Sequence, residues 1–514
     1  MRTLHKLIWS SCTVLSILSS AAFAQGNWPM FGQNQQNTAS NDADNKISTS
    51  NVATLAPKWV ATTGGDVSAR PAVVGGVVFF PDWGGNLWAL DGGRGTTIWQ
   101  HQLSDYGLPA GTVSRTSPAV QGNTVYIGTQ QGAYLLAIDA NTGVLRWKTP
   151  LDTHPLAIVT SSSAIFANVL YTGVASTEEG VAADPSYPCC SFRGSAVAVN
   201  AQTGAILWKT YMAPQGYTGA SVWGSNPVVD SQRKTVFVGT GNNYSTSTDP
   251  AYANCILAGG TRKACLSPDD HVDSIVALDM NSGKIKWSQR LADSDDWNVA
   301  CIFAGPNCPT GSGPDYDFGS APNEFSARLP GTHGNQDIIG AGQKSGVYSA
   351  FDPDTGSFVW GTQVGPGSSL GGIEWGSATD GDRIYVAIAN LYGIPYGPGN
   401  SITAGSWSAL DPATGQILWQ TPDPNGAIDI GPMTVANGIV YAPSMGAATA
   451  TTPNMFALDA KTGKVLWSYP SGGSVNAGAV VINGMVYWGS GYAHLPVQGF
   501  VGNNKFYAFS VGGK

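Results

Sequence analysis

Charged side chains are scarce in this 514-residue chain, since Asp, Glu, Lys and Arg together make up only 11% of it. The 25 basic residues form no stripe, and the formal net charge is -8. We therefore do not expect nucleic acid as a partner. No segment after the N-terminal region is long and apolar enough to span a bilayer. The sequence also lacks a C-x-x-C-H motif, which excludes a covalently attached c-type haem.

The N-terminal region does contain an apolar run. Arg2 and Lys6 precede the apolar residues 7–18, and residues 22–24 have the A-x-A form of a cleavage site. This arrangement predicts that residues 1–24 are a secretory signal peptide. The expected location of the mature protein is the bacterial periplasm.

The cysteine content agrees with export to an oxidising compartment. Without Cys12, six cysteines remain, and they fall into three close pairs. We predict that Cys255–Cys265 and Cys301–Cys308 are disulfides that stabilise two long loops. A disulfide between the neighbours Cys189 and Cys190 would close a distorted ring, and backbone strain of that kind tends to occur at functional sites. Free or separately bridged thiols are the alternative for this pair.

An eleven-residue phrase, A-x-[DN]-x-x-x-G-x-x-x-W, dominates the sequence. Such a phrase, recurring at intervals of about 40 to 80 residues without a helical pattern, indicates one supersecondary unit copied around an array. The seven copies end at Trp99, Trp147, Trp208, Trp287, Trp360, Trp419 and Trp467.

Each copy of the phrase predicts a β-hairpin. Its Asp or Asn caps a tight turn, its Gly adopts a positive φ, and its Trp ends the second strand. A further pair of strands precedes most copies, for example on either side of Gly122 and Asn123. Two hairpins per repeat form a four-stranded antiparallel blade, and blades repeated around an axis form a β-propeller.

The two ends of the chain complete an eighth blade. Residues 55–59 resemble the Trp-bearing second half of the phrase, and residues 505–511 resemble its first half. We therefore predict an all-β fold over residues 25–514, an eight-bladed β-propeller closed by pairing the N-terminal strand with the C-terminal ones. Closure removes an open sheet edge. The Trp of each blade is expected to pack between neighbouring sheets.

The phrase in eight copies, together with the adjacent cysteine pair, resembles the quinoprotein alcohol dehydrogenases. Residues 27–38, NWPMFGQNQQNT, are most similar to the polyvinyl-alcohol dehydrogenase branch. The resemblance implies a propeller that holds pyrroloquinoline quinone (PQQ) and a metal ion, calcium or a lanthanide, on its axis. It also implies oxidation of an alcohol, small or polymeric. Because the chain has no haem motif, the expected electron acceptor is a separate one such as a cytochrome c.

The same resemblance assigns metal ligands. Family members have a Thr at the cofactor eighteen residues before a metal-ligating Glu, which implies these roles for Thr160 and Glu178, with Glu179 as a competing neighbour. A G-x-G-N sequence implies that Asn242 is a ligand. Carboxylate and amide oxygens suit a hard cation.

The family's catalytic base matches Asp315, which the resemblance also makes a metal ligand. Asp317 matches an additional carboxylate in lanthanide-using members. Strand residues two apart project to the same side, so the two carboxylates can share one ion. The register leaves open that Asp317 is itself the base.

The remaining implied contacts involve PQQ. Trp223 matches the residue that stacks on the quinone, and Lys344 the donor at its reactive carbonyl. Arg115 is expected to pair with a PQQ carboxylate and Asn390 to approach the quinone oxygens. The other implied cofactor contacts are Trp375, Cys189 and Cys190. In methanol and ethanol dehydrogenases the cysteine pair precedes the counterpart of Arg115, whereas here it follows Glu178, so its contact with PQQ is left open.

Two other functions are compatible with the pattern. Non-catalytic propellers of outer-membrane assembly share the blade phrase, so the chain is alternatively a scaffold that has lost PQQ. A PQQ-dependent sugar dehydrogenase is the third hypothesis. Convergence on one axial pocket would favour an enzyme over a scaffold. The residues expected to converge are Glu178, Asn242, Asp315, Lys344 and Trp223.

Overall fold

The computed structural model describes residues 26–224, 226–446, 451–495 and 499–514, and it contains eight antiparallel sheets. The predicted signal peptide, residues 1–24, lies outside the described residues. The sheets are the blades of an all-β propeller, which confirms the predicted eight-bladed fold.

The strands of the blades follow one another along the chain after an initial strand β1, Leu55–Thr62. Blade 1 contains β2 to β5, Ala72–Val74, Val77–Pro81, Asn86–Asp91 and Thr97–Gln102. Blade 2 contains β6 to β9, Ala119–Gln121, Thr124–Gly128, Tyr134–Asp139 and Leu145–Pro150. Blade 3 contains β10 to β14, Ala157–Ile158, Ala164–Phe166, Val169–Ser176, Ser195–Asn200 and Ile206–Tyr211. Blade 4 contains β15 to β18, Val228–Asp230, Thr235–Gly239, Ser274–Asp279 and Ile285–Arg290.

The second half of the propeller repeats this order. Blade 5 contains β19 to β22, Asn323–Ala327, Gln336–Gly342, Val347–Phe351 and Phe358–Gln363. Blade 6 contains β23 to β26, Ala378–Thr379, Ile384–Ile388, Ser406–Leu410 and Ile417–Pro422. Blade 7 contains β27 to β30, Thr434–Ala436, Ile439–Pro443, Met455–Asp459 and Val465–Tyr469. Blade 8 combines β1 with β31 to β33, Val480–Ile482, Met485–Gly489 and Lys505–Val511.

Blade 8 closes the ring in the predicted way. Strand β1 pairs antiparallel with β33, with Leu55 opposite Val511 and Thr62 opposite Lys505. Trp59 lies opposite Ala508, the same Trp-to-Ala register that Trp99 and Ala89 have in blade 1. The two ends of the chain therefore supply the two halves of one blade phrase.

The interface between blades 2 and 3 shows why the phrase contains these residue types. The Asn200 side-chain oxygen accepts the backbone N–H groups of the two residues that open the turn. Gly204 has φ +74°, and a Cβ there would lie 2.7 Å from the Trp147 ring. The Trp147 indole donates to the carbonyl of Ala201 at 3.0 Å. The glycine thus provides both the turn and the space for the preceding blade's Trp, as predicted.

Helices are short and lie in connecting segments. The two predicted loop disulfides, Cys255–Cys265 and Cys301–Cys308, are present. None of the helices in the described ranges is long and apolar enough to cross a membrane. The α-helices are Glu178–Val181, Pro250–Leu257 and Arg262–Cys265, and the 3₁₀ helices are Val52–Thr54, Leu103–Tyr106, Val299–Phe303 and Pro398–Asn400.

Residues 28–41, which we call the N-terminal ring, run around the axis and contact all eight blades in order. Trp28 exchanges backbone hydrogen bonds with Val73 of blade 1 at 2.7 and 2.8 Å. Further bonds from the ring reach the innermost strands of the other blades, at Val120, Ile165, Val229, Glu324, Thr379, Val435 and Val481. The ring therefore satisfies polar backbone groups at the inner edges of the sheets, where no further strand pairs with them.

A tight turn at Gly32 shapes this ring, and we expect Gly32→Ala to destabilise the fold. A Cβ at Gly32 would lie 1.8 Å from Asn37 Oδ1 and 2.5 Å from Asn37 Cα, so the backbone must shift. Overpacking of this kind costs about 1–3 kcal/mol, and the thermal midpoint should fall by several degrees. Gly93→Ala, in an exposed turn where the nearest atom is 3.3 Å away, is the matched control. Equal midpoints for the two variants would contradict a structural role of the ring.

Candidate active site

A central cavity of about 680 Å³ is lined by residues of blades 2, 3, 4, 5, 6 and 8. The lining comes from two kinds of segment, those that enter the first strand of a blade and those that leave its second strand. Because the two strands are antiparallel, both segments lie at the same end of the blade. The propeller thus collects side chains that are far apart in the sequence, among them Arg115, Thr160, Trp223, Asp315 and Lys344.

An ion-paired cluster occupies one side of the cavity. The Lys344 ammonium lies 2.9 Å from Asp315 Oδ1 and 3.2 Å from Asp317 Oδ2. All three side chains are at least nine-tenths buried. Burial disfavours a charged ammonium, but the neighbouring carboxylates outweigh it and raise the pKa of Lys344 above its ordinary value. The cluster is therefore held together by charge in a region of low solvent access.

Asp317 is fixed by three donors. Its Oδ2 accepts the Trp223 indole N–H at 2.7 Å as well as the ammonium, and its Oδ1 accepts the backbone N–H of Asn242 at 2.6 Å. The Asn242 side chain donates to the carbonyls of Asn243 and Trp297. Asp317 and Asn242, both predicted metal ligands, thus lie next to each other and next to the predicted stacking residue.

Asp315 sits in a strained turn and has fewer partners. Its φ is +63°, and the Asp295 carboxylate accepts its backbone N–H at 3.0 Å and that of Tyr316 at 2.7 Å. Burial raises the pKa of Asp315 well above its ordinary value, Lys344 opposes that effect, and Asp317 adds to it. In the described residues only Lys344 bonds its side chain, which leaves Oδ2 available for a proton.

Two tryptophans and an arginine form the adjoining wall. The rings of Trp223 and Trp375 meet edge to face with centroids 5.2 Å apart, and the Arg115 guanidinium lies 4.2 Å from the Trp375 ring centre. The Thr160 hydroxyl donates to the Trp223 carbonyl at 3.3 Å. The predicted cofactor contacts Arg115, Thr160, Trp223 and Trp375 therefore share one wall of the cavity.

Glu178, predicted as a metal ligand, does not line the cavity. Its carboxylate accepts the Tyr187 hydroxyl at 2.8 Å and the backbone N–H groups of Ser191 and Phe192 at 2.9 and 2.8 Å. The neighbouring Glu179 does line the cavity, and its Oε1 is buried without a partner. We therefore transfer the proposed role from Glu178 to Glu179.

The electrostatic setting of Glu179 supports this transfer. Burial raises the pKa of Glu179 to about 8, Lys344 opposes the shift, and the carboxylates Asp317 and Asp295 add to it. The nearby Asn242 amide also favours the charged form. A buried carboxylate oxygen without a donor is the kind of group that a cation would satisfy.

The two glutamates should respond differently to substitution. In Glu178→Gln an amide NH₂ replaces an oxygen that faces N–H and O–H donors, so we expect a loss of about 2–3 kcal/mol in stability. Glu179→Gln removes an unpartnered buried carboxyl group and should leave the thermal midpoint of the metal-free protein unchanged or raised. Thermal unfolding of both variants checks this, and the opposite ranking would show that Glu178 is not the structural residue of the pair.

Three predicted cofactor contacts also lie off the cavity. The Asn390 amide is used within its own loop, donating to the carbonyls of Ile394 and Ala404. The Cys189–Cys190 disulfide is present, but it lies behind a residue of the cavity wall, with Cys190 Sγ 3.9 Å from the Tyr244 carbonyl oxygen. Their positions do not support direct cofactor contact by Cys189, Cys190 or Asn390.

The structure also adds residues that were not predicted. Asp295 supports the Asp315 turn, and Tyr244, whose hydroxyl lies 2.5 Å from that of Ser221, lines the cavity. Glu374 lines it as well, although the sequence shows it only as the neighbour of Trp375 in a G-G-I-E-W segment. Its position next to the predicted lining residue Trp375 is the one sequence signal that could have identified Glu374.

Comparisons with known proteins show what the whole chain is similar to. A polyvinylalcohol dehydrogenase of Sphingopyxis sp. (strain 113P3) is 29% identical over 94% of this chain and 77% of its own length. The crystal structure of quinohemoprotein alcohol dehydrogenase from Comamonas testosteroni has a TM-score of 0.71 at 19% identity and covers 95% of this chain and 81% of that one. A europium-containing methanol dehydrogenase has a TM-score of 0.69 at 17% identity, covering 94% and 98%. The two structural matches show the shared fold.

These matches confirm the resemblance to quinoprotein alcohol dehydrogenases and to their polyvinyl-alcohol branch. The model of a protein family, PQQ_2, described as outer membrane protein assembly factor BamB, matches residues 6–237 and 403–511. That match extends over more than half of the chain, and the chain therefore belongs to the PQQ_2 family.

Proposed function

We propose that the protein is a PQQ-dependent dehydrogenase that oxidises alcohol groups and holds one cation beside the cofactor. The observation that carries this proposal is the buried cluster of Lys344, Asp315 and Asp317 beside Trp223 in one central cavity. Burying three charged groups costs free energy, and a purely structural propeller would be more stable with apolar residues at these positions. Clusters of this kind are typical of active sites.

The cavity's residues suit both implied groups. PQQ is a planar tricarboxylate, for which the Trp223 ring offers a stacking surface and the Arg115 guanidinium a positive charge. For the cation, the unpartnered Glu179 Oε1 and the carboxylates of Asp315 and Asp317 are oxygen ligands, with the Asn242 amide beside them. Within the described ranges no three Asp, Glu, His or Cys side chains are close enough together to hold a metal ion as they stand. The Asn242 amide and oxygens of the cofactor would complete the proposed set.

The chain's own residues then have separate tasks. When bound, PQQ would supply the oxidising power by accepting hydride from the alcohol carbon. Asp315 is the base that takes the hydroxyl proton, because its Oδ2 is free while both oxygens of Asp317 are already bonded. Lys344 places a positive charge beside the reacting groups. The low solvent access of the cluster strengthens each of these electrostatic interactions.

The outer part of the cavity is apolar, which favours an alcohol on a carbon chain over a sugar. Ile302 and Tyr392 are 57% and 64% exposed and extend the apolar surface outward. We propose a small or polymeric alcohol, in keeping with the polyvinylalcohol dehydrogenase relative. The apolar residues of this outer part are Val299, Ile302, Leu370, Leu391, Tyr392 and Leu495.

Location and electron transfer complete the proposal. A signal peptide at residues 1–24 would direct the protein to the periplasm. Electrons would leave through a separate acceptor such as a cytochrome c, since the chain has no C-x-x-C-H haem motif.

Dye-linked oxidation by the purified protein tests the proposal. The protein is incubated with PQQ and either calcium or lanthanum, and then assayed with 1-butanol, 2,4-pentanediol, polyvinyl alcohol and glucose. Activity that requires both PQQ and a cation is the expected result. Activity with glucose alone would favour a sugar dehydrogenase, and inactivity in every combination would favour a non-catalytic scaffold.

A further inference from the structure

The carboxyl group of Glu374 is buried in the cavity without a protein partner. The residue is only 3% exposed and lines the cavity, yet its side chain makes no hydrogen bond or ion pair with any residue in the described ranges. Its backbone carbonyl does accept a bond, from Gly376 N–H at 2.7 Å. The carboxyl group therefore faces the cavity with no protein group to neutralise its charge, which makes it available to a positively charged partner.

Lys344 lies within reach of Glu374 because their backbone segments are hydrogen-bonded. Gly372 N–H donates to the Lys344 carbonyl at 2.8 Å, and Ile373 N–H donates to the Gln343 carbonyl at 3.1 Å. A Cβ at Gly372 would lie 2.2 Å from the Gly346 nitrogen, so glycine permits this close approach. Glu374 therefore lies two residues after Gly372, whose backbone is hydrogen-bonded to that of Lys344.

The charges are consistent with that proximity. Burial raises the pKa of Glu374 to about 7, while Lys344 opposes the shift. Four carboxyl groups act on the Lys344 ammonium, those of Asp315, Asp317, Glu179 and Glu374. Three of the four are the proposed cation ligands, and Glu374 is the one that is not.

A cation and the ammonium compete for the same oxygens. Lys344 is bonded to Asp315 and Asp317, so a cation bound by these carboxylates must repel the ammonium at short range. A displaced buried ammonium needs another counter-ion, because an unpaired buried charge is strongly destabilising. The unpartnered Glu374 carboxylate is available for that purpose.

The geometry points to Glu374 as a positioning residue that accepts the Lys344 ammonium when a cation occupies Asp315 and Asp317. This inference rests on the cation site of the proposed function. The exchange would couple cation loading to the position of Lys344, whose ammonium already lies 5.2 Å from the Trp223 ring centre. Lys344 would thereby leave the Asp315 and Asp317 carboxylates for Glu374 only in the loaded protein.

Calorimetric titration with calcium chloride and lanthanum chloride, in the presence of saturating PQQ, tests the exchange in the full chain. Glu374→Gln should weaken cation binding about ten- to a hundredfold, because the displaced ammonium loses its partner. Glu374→Asp should recover most of the affinity. In the absence of cation, Glu374→Gln should not lower the thermal midpoint, since the carboxyl group has no partner in that state. A lowered midpoint would instead indicate a merely structural role.

The Lys344→Met background supplies the decisive control. There the Glu374→Gln substitution should change cation affinity by less than about twofold, because no ammonium is displaced. A loss that persists in this background, or wild-type affinity in Glu374→Gln alone, overturns the inference. If Lys344→Met does not fold, the cation affinities and thermal midpoints of Glu374→Gln and Glu374→Asp still test the inference. Absence of cation binding by the wild type would contradict the proposed function itself, a result that differs from all of these.

Discussion

The Asp315→Asn variant is expected to lose alcohol oxidation by a factor of about 10²–10⁴ in kcat, the usual contribution of a positioned general base. Asparagine keeps the shape of the side chain and its acceptor toward Lys344, but it cannot take up the hydroxyl proton. Because Asp315 is in a turn fixed through Asp295, the substitution should leave that turn in place. The dye-linked assay with PQQ and saturating cation measures the loss.

Two further variants make this result specific. Asp382→Asn changes an exposed acid in the β23–β24 turn and should retain wild-type kcat. Asp317→Asn removes an acceptor for three donors, so it should weaken cation binding and lower stability. If Asp317→Asn lost activity at saturating cation while Asp315→Asn kept it, Asp317 would be the base, the alternative that the sequence leaves open.

The fold was predictable because each copy of the blade phrase encodes the same turn and the same contact between blades. The turn of the phrase needs an Asp or Asn acceptor and a glycine of positive φ, as Asn200 and Gly204 show. Because this glycine has no side chain, it also leaves room for the Trp ring of the preceding blade, as Gly204 does for Trp147. Identical constraints in every blade produce identical residues, which is why even the split eighth blade was identifiable from residues 55–59 and 505–511.

The positions of cavity residues were predictable where a side chain lies in a segment that enters or leaves the inner strands of a blade. Lys344 lies two residues after β20, and Trp223 and Asp315 lie in the segments that lead into β15 and β19, so the repeat places them at the same end of their blades. Glu178 and Glu179 lie in a short helix, where adjacent residues point in different directions. Motif spacing selected Glu178, which bonds the 187–192 loop, whereas the structure places Glu179 at the cavity.

Loop conformations account for the other differences. Asn390 follows a strand as expected, but a positive φ of 46° at this residue belongs to a turn in which its amide bonds Ile394. The Cys189–Cys190 pair lies in an insertion with no counterpart in the repeat. Glu374 escaped notice because an acid in a loop is usually solvated, and only the three-dimensional structure shows that it is buried.

Removing the Lys344 charge should have the largest effect on stability. In Lys344→Met the buried carboxylates of Asp315 and Asp317 lose the ammonium that lies 2.9 and 3.2 Å away. Breaking a buried ion pair by deleting one partner costs about 3–5 kcal/mol. The thermal midpoint of the cation-free variant should therefore fall well below that of the wild type.

Cations should reverse this loss. A bound calcium or lanthanum ion would replace the missing positive charge, and without a competing ammonium it should bind more tightly than in the wild type. Stabilisation by a ligand grows with its concentration relative to Kd, by about 1.4 kcal/mol for each tenfold increase above Kd. The difference in midpoint between Lys344→Met and wild type should therefore shrink as calcium is added.

The surface variant Lys461→Met shows whether this behaviour is specific. Lys461 is exposed, far along the chain in blade 7, so its substitution should affect the midpoint little and leave the calcium dependence of the wild type unchanged. Calcium that stabilises Lys344→Met and Lys461→Met equally would mean that the ion binds elsewhere. Calcium that rescues only Lys344→Met would show that the ammonium of Lys344 and the cation occupy the same carboxylates in turn, which is the condition under which Glu374 acquires a partner.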